Sequence, residues 1–385
     1  MSSRLLITAA ILLSFSCSKV SFRDLDEVVS REIFTFNETT IPSEVLLEAD
    51  NHQIMMLGET HYVQEHQEWG SLLLSKLNPL GYKIFMNEMS HAYSWMVEDF
   101  VNGDLDNLPG YILYFDETWL VNIKNFNINA DNTDRITFFY MDVNHSFSDL
   151  RNSLIEVEKI IGGQEIFNRV KSDAYDSEPY RESVNDLLNE LDGQESIYRN
   201  EWGDLWFERI REMVEIEIPS IEFRKSSYDD IREKTIHQII NKRMIDYPDS
   251  KYVINTGMFH AQKITLMGNN IPRIAQYLET DFPGTVYSIA FIGIKGYSKY
   301  NFYDENLFSV NLIDDTKKSD LAHVIGMKAG DFLSFLPLTD PIFKEEMNVS
   351  YTKSEKMKLA PGLQFDAIIS YPEISLLKSM TRYNY

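Results

Sequence analysis

Acidic and imidazole side chains recur just behind short apolar runs of this sequence. Glu59 and His61 follow Ile54-Met55-Met56-Leu57 by two and four residues, and Glu88 follows Lys83-Ile84-Phe85-Met86 by two. Asp142, with Asn144 and His145, comes directly after the run from Ile136 to Met141, and His260 comes five residues after Tyr252-Val253-Ile254-Asn255. Imidazoles beside carboxylates support general acid–base chemistry. The ring takes a proton from water near neutral pH, while the carboxylate fixes its tautomer and stabilises the imidazolium. Glu59 or Glu88 is placed to orient His61, His260 to protonate a leaving group or polarise a carbonyl, and Lys263 to stabilise developing negative charge. Asp142, His145 and Lys263 are assigned to substrate binding. A Glu/His cluster also suits a divalent metal, although no His-Glu-X-X-His spacing occurs. No Gly-X-Ser-X-Gly elbow is present, so a covalent serine route has no support. Taken singly, Glu88 would also serve as a helix N-terminal charge and Asp142 as a cap.

What brings such residues together is a sheet. Apolar runs of four to eight residues alternate with helical patterns, the signature of βαβ units and a mainly parallel sheet. Strands are expected at 54–57, 83–86, 136–141, 252–255 and 285–292, with a sixth at 365–369. In an open parallel sheet, ligands bind outside the carboxyl ends of the strands, where the four loops carrying these residues emerge. Between the third and fourth strands, helical periodicity dominates. Leu187, Leu188 and Leu191 form one stripe, and Trp202, Leu205, Trp206, Ile210, Met213 and Val214 another. Residues 148–224 are expected as a helical insertion that acts as a lid and shapes the pocket, followed by a helix from Tyr228 to Asp246 behind Ser226-Ser227. The fold class expected is α/β, a central mainly parallel sheet with flanking helices and this insertion, in one domain spanning 45–385.

Composition narrows the partners. With 44% hydrophobic and 13% aromatic residues there is ample material for a large core, which excludes disorder. Thirty-six Lys+Arg against 59 Asp+Glu give a net charge of −23, which repels phosphate backbones and argues against nucleic acid. A small-molecule substrate remains. The single cysteine, Cys17, leaves no internal disulfide, Cys-based zinc site or Cys-X-X-Cys pair. It ends a segment with Arg4 as a positive start and an apolar stretch from Leu5 to Phe15, far short of the roughly 20 residues that span a bilayer. Leu13-Ser14-Phe15-Ser16-Cys17 resembles a bacterial lipoprotein cleavage site. That resemblance implies removal of residues 1–16, lipidation of Cys17 and a protein anchored by lipid in the cell envelope of a bacterium. Residues 17–44 are expected as its tether.

Three groups of residues together resemble one superfamily. Leu57-Gly58-Glu59-Thr60-His61, Glu88 and Gly257-Met258-Phe259-His260-Ala261-Gln262-Lys263 look like the motifs of the erythromycin-esterase-like proteins and the ChaN-like haem-binding lipoproteins. The resemblance covers residues 53–295, and Phe365-Asp366-Ala367-Ile368-Ile369 matches the final strand of the esterase-like branch. Trp119, Arg135 and Phe139-Tyr140-Met141-Asp142 also look like that branch, whereas the one-residue gap between Glu59 and His61 is the ChaN-like spacing. The esterase branch implies cofactor-free, metal-independent hydrolysis of an ester or lactone, with a histidine matching His61 as general base and Glu59, Glu88 and His260 lining the site. The ChaN-like branch implies haem held at a dimer interface for iron uptake without turnover. A more distant resemblance of Gly257-Met258-Phe259-His260 to a Gly-X-X-His motif of membrane-tethered metalloproteases keeps a divalent metal open.

Overall fold

Apolar runs without alternation mark strands covered on both faces. Ile54 to Leu57 and Tyr252 to Ile254 are such runs, and all of these side chains are fully buried. In the computed structural model, which describes residues 20–174, 177–227, 229–264, 271–299, 307–313, 320–351 and 357–382, they lie in neighbouring central strands. The chain runs α1 (Phe22–Glu32), β1 (Phe34–Phe36), α2 (Ser43–Asn51), β2 (Ile54–Glu59), α3 (Gln64–Leu77), β3 (Tyr82–Ser90), α4 (Ser94–Asn102), α5 (Gly110–Asn129) and β4 (Thr137–Asp142). Then come α6 (Phe147–Ile161), α7 (Asn168–Ser172), α8 (Glu178–Gly193), α9 (Glu195–Trp202), α10 (Asp204–Ser226) and α11 (Asp229–Asp246), before β5 (Lys251–Gly257), α12 (Ile274–Asp281) and β6 (Val286–Gly293). The remainder comprises β7 (Lys295–Ser298), β8 (Phe308–Asn311), α13 (Leu321–Ala329), β9 (Leu333–Pro337), β10 (Met347–Val349), β11 (Met357–Leu359), α14 (Pro361–Gln364), β12 (Ala367–Tyr371) and α15 (Lys378–Arg382).

The main sheet has the order β1-β9-β12-β6-β2-β5-β3-β4. From β12 to β4 every neighbouring pair is parallel, and β9 and β1 extend the sheet antiparallel at one edge. The fold is α/β, as the alternation of runs predicted. Four consecutive strands, β2, β5, β3 and β4, carry the chemically interesting residues to one edge. Pro79 and Gly81 stop α3, with Gly81 left-handed at φ 93° behind a 3-10 turn.

Two expectations change. The stretch expected as a tether is folded over its described part. Ser21 caps α1 by accepting the Asp24 amide, Leu25 and Val29 bury at helical spacing, and β1 pairs with β9. Its polar composition hid two buried apolar residues four apart. Cys17 and the signal segment lie outside the described residues. Residues 148–224 do carry α6 to α10, but among the described residues of this span only Ser148, Asp149 and Asn152 line the large cleft described below. α5, which the sequence pattern did not reveal, forms its other wall.

Helix α5 is seated by Trp119, fully buried between Phe85 of β3, at 4.6 Å between ring centroids, and Gly70 of α3. A methyl group at Gly70 would fall 2.9 Å from Trp119 Cζ2 and nearer still to Cη2. Replacing glycine in a helix gains about 1 kcal/mol of propensity, whereas overpacking a closed core costs about 1–3 kcal/mol. Gly70→Ala is therefore expected to lower the unfolding free energy despite the better helix former; a denaturant midpoint at or above wild type would contradict this packing.

Candidate active site

The turn that carries His61 is built from both ends of the chain. Gly58 lets β2 pass close to its neighbours, since a Cβ there would lie 3.0 Å from Ala261 Cβ and 3.2 Å from the Ile289 carbonyl oxygen. Beyond Glu59 the backbone reverses through Tyr62 at φ 69°, a left-handed conformation that costs a non-glycine residue about 1–3 kcal/mol. The C-terminal segment holds it there. Leu377 donates its amide to the Tyr62 carbonyl at 3.1 Å, Gln64 donates to Ser375 O at 2.9 Å, and Val63 bridges Leu376. In this turn His61 Nδ1 lies 2.8 Å from Glu59 Oε1. Donation from Nδ1–H places the ring's basic lone pair on Nε2.

Glu59 is fixed from below. Asn255 of β5 donates to its Oε2 at 3.0 Å, and the buried His66, one turn into α3, lies 3.2 Å from the same oxygen and 2.7 Å from Asn255 Oδ1. Burial alone would raise the Glu59 pKa, but the hydrogen bond from His61, with that from Asn255, brings it below the ordinary carboxylate value. Burial drives the His66 ring the other way, towards the neutral form.

Glu88 sits where β3 loses register with β4, between Asn87 and Ser90. Its Oε2 accepts the Thr256 hydroxyl at 2.6 Å and the Gly257 amide, and its Oε1 accepts from Arg232 of α11. Arg232 also reaches Asp142 Oδ2 at 2.6 Å from Nη2 and Asp142 Oδ1 at 3.0 Å from Nε. Burial would lift both carboxyls. The charges of His260, Arg232 and His61 on Glu88, and of Arg232 and His145 on Asp142, outweigh it and hold both well below the usual carboxylate range. His145 Nε2 lies 2.7 Å from Asp142 Oδ2, and this carboxylate raises the ring's pKa against the effect of burial.

His260 forms a second carboxylate–imidazole pair. Its Nδ1 is 2.6 Å from Oε1 of the fully buried Glu233, and its Nε2 is 3.2 Å from Arg232 Nη1 and 3.4 Å from Glu88 Oε1. Glu233 is itself held by Arg273 at 2.7 Å and by the Ile274 amide at 2.9 Å.

The structure thus brings together Glu59, His61, Glu88, His260, Asp142 and His145. Lys263 does not join them. The chain turns after β5 without forming a helix over 258–264, and the ammonium lies 3.0 Å from both carboxylate oxygens of Asp366. Arg232, Glu233 and His66 were missed because they sit inside helical segments, away from any strand end. A signal for the first two was an adjacent Arg-Glu pair on α11, with Glu233 falling on the inward stripe of Ile236 and Ile240. The donor set does not suit a divalent ion, because the guanidinium of Arg232 already lies among Glu88, Asp142 and His260. Among the described residues, no group of three or more His, Cys, Asp or Glu is placed to hold one. Glu59, His61, Glu88, Arg232 and His260 open onto a cleft of about 680 Å³, and a recess of about 110 Å³ lined in part by Gly257 and Tyr351 adjoins the same histidines.

No protein-family profile matches the chain, and no curated protein matches it in sequence. Solved structures do match in shape. A protein of Bacillus cereus superposes with TM-score 0.70 at 14% identity, over 94% of this chain and 99% of that one. A succinoglycan biosynthesis protein gives 0.69 at 13%, over 93% and 98%. An erythromycin esterase in its open conformation gives 0.67 at 13%, over 90% and 99%. The haem-binding ChaN of Campylobacter jejuni overlays at 0.31 and 11%, over 71% and 93%. Across nearly its whole length, this chain has the fold of the erythromycin esterase structure.

Proposed function

We propose that the protein is a hydrolase of esters or lactones, with water activated by the Glu59–His61 pair. The observation that supports this is the convergence of two carboxylate–imidazole pairs, Glu59–His61 and Glu233–His260, on one cleft with Glu88 and Arg232 between them. His61 has the solvent access a base towards water needs, with 41% of its side chain exposed, whereas the His260 side chain is only 11% exposed. In this reading His61 Nε2 takes the proton of a water that attacks the carbonyl, and Glu59 stabilises the imidazolium. The oxyanion develops towards Arg232, whose guanidinium is fixed in advance by Glu88, Asp142 and His260. The collapsing intermediate expels the alcohol, which takes its proton from the His61 imidazolium. The sequence pattern around Cys17 supports the further proposal that this hydrolase is tethered to a bacterial envelope by lipid; an unmodified Cys17 in the mass spectrum of the mature protein would end it.

A panel of esters and lactones tests the chemistry. His61→Ala and His260→Ala are each expected to lose at least about 10²-fold in kcat/KM with an unchanged circular dichroism spectrum. Gly257→Ala should do the same by geometry, since its Cβ would lie 2.9 Å from His61 Nε2 and 3.3 Å from Glu88 Oε2 and would push the partly exposed ring aside. Wild-type rates in His61→Ala against every substrate that the wild type cleaves would sink the proposal.

The charge arrangement has a counterpart in stability. Glu88 has a folded pKa below its ordinary 4.5, so below pH 4.5 the unfolded chain binds a proton that the folded chain does not, and stability falls as pH drops through the folded value. Asp142 acts in the same direction. Arg232→Met leaves both carboxyls buried without their cation and is expected to cost about 3–5 kcal/mol at pH 7. Protonation relieves that loss, so the deficit should shrink between pH 7 and pH 4 while the wild type itself weakens on further acidification. A deficit that is constant across this range would show that Arg232 is not balancing these carboxylates.

A further inference from the structure

The cleft has a second half that water activation leaves unused. Its wall is α5, from which Tyr111, Ile112, Phe115 and Asp116 line the space. Tyr93 faces Tyr111 at 5.2 Å between ring centroids, and Tyr62 faces Phe115 at 6.3 Å. At the foot of this aromatic wall the helix is broken, with Asp116 at φ −127°, ψ 15°. No proline or glycine causes the break. Gln67 of α3 donates its amide to the Phe115 carbonyl at 2.7 Å, and a side chain that captures a helix carbonyl bends the helix at that point.

Beside the break lies the Asp116 carboxyl, in a residue only 4% exposed. Its Oδ1 accepts from Asn87 Nδ2 at 3.0 Å, and its Oδ2 accepts from the Tyr140 hydroxyl at 2.8 Å. Asn87 in turn accepts from Asn255, which also donates to Glu59. One directional chain across β3 and β5 therefore sets Asp116 at a fixed place relative to the Glu59–His61 pair. Burial, reinforced by the Glu59 charge and opposed by the bonds from Tyr140 and Asn87, pushes the Asp116 carboxyl up to about 7. A carboxyl beside a phenol both accepts and donates, which is what a hydroxyl group requires of its partner.

The charges lining the cleft narrow the ligand further. Among its described lining residues the guanidinium is that of Arg232, whose bonds go to Glu88 and Asp142. Glu59, Glu88 and Asp149 also line it, and its imidazoles, His61, His145 and His260, each lie against a carboxylate, Glu59, Asp142 and Glu233, so a ligand carboxylate or phosphate would meet like charge. Resting on the hydrolase reading, we propose that Asp116 and Tyr140 form a subsite for a hydroxyl group of a neutral, largely apolar substrate packed on Tyr111 and Phe115. The substrates are then uncharged hydroxylated lactones or esters, not anionic ones.

Three matched aromatic lactones test this: dihydrocoumarin, its 6-hydroxy derivative and its 6-carboxy derivative. For the wild type, kcat/KM should be at least about tenfold higher for the hydroxy than for the parent lactone, the worth of one well-made hydrogen bond. It should be at least about tenfold lower for the carboxy lactone than for the parent. In Asp116→Ala the hydroxy-to-parent ratio should fall to about one, and in Tyr140→Phe it should fall part of the way, so that either variant suffices if the other fails to fold. A wild-type ratio near one, a ratio unchanged in these variants, or a preference for the carboxy lactone overturns the subsite while leaving the hydrolase reading standing. If the wild type cleaves none of the three, the hydrolase reading fails on lactones, and calorimetric Kd values for the same compounds decide the subsite. Tighter binding of the hydroxy lactone that is lost in Asp116→Ala sustains it; equal or absent binding overturns it.

Discussion

Two carboxylates are buried side by side at the ends of adjacent strands, and one guanidinium makes that possible. Glu88 and Asp142 are almost without solvent contact, and an isolated ionised carboxylate in such a place would carry a penalty of several kcal/mol. Arg232 bonds to both and lends its remaining face to His260. Everything else at the site is arranged around that cation. Helix α11 must lie across the ends of β3 and β4 to deliver it. The adjacent Glu233 then falls against the other nitrogen of His260, so that a single helical turn both neutralises the floor of the cleft and orients one of its two imidazoles.

The same logic of fixed partners extends to the other imidazole. Glu59 emerges from the strand between β5 and β6, and Asn255, His66 and His61 converge on it from three elements. The left-handed Tyr62 that turns the chain between His61 and α3 is unfavourable by itself and persists because residues 375–377 hold the turn in place. The half of the cleft that would act on water is thus held by fixed partners, and the other half is lined by aromatic rings.

How far the sequence foretold this follows from where each residue sits. Glu59, Glu88, Asp142 and His260 were legible because buried parallel strands announce themselves as apolar runs, and the loops behind them must meet at one edge. Arg232 and Glu233 were not, because a charged pair inside a helix reads as a solvated face until the partner surface is known. Asp116 was hidden more deeply. The break in α5 comes from Gln67, more than forty residues away, and carries no proline or glycine to betray it. Lys263 misled because nearness to His260 in sequence does not carry into space: the chain turns after β5 and sends the side chain to Asp366. Residues 22–36 misled through composition, since two buried apolar side chains suffice to dock a helix that is otherwise polar.

The order of strands also bears on how this protein comes into being. β2 lies between β5 and β6, which are separated from it by some two hundred residues of chain, and the His61 turn waits for a segment a further eighty residues on. Pairings of such long sequence separation form slowly, because the entropy of closing the loop is lost before the contacts return it. During synthesis, β2 therefore emerges as a bare apolar strand with neither neighbour yet made. The turn that carries His61 closes only once residues 375–377 have docked against it.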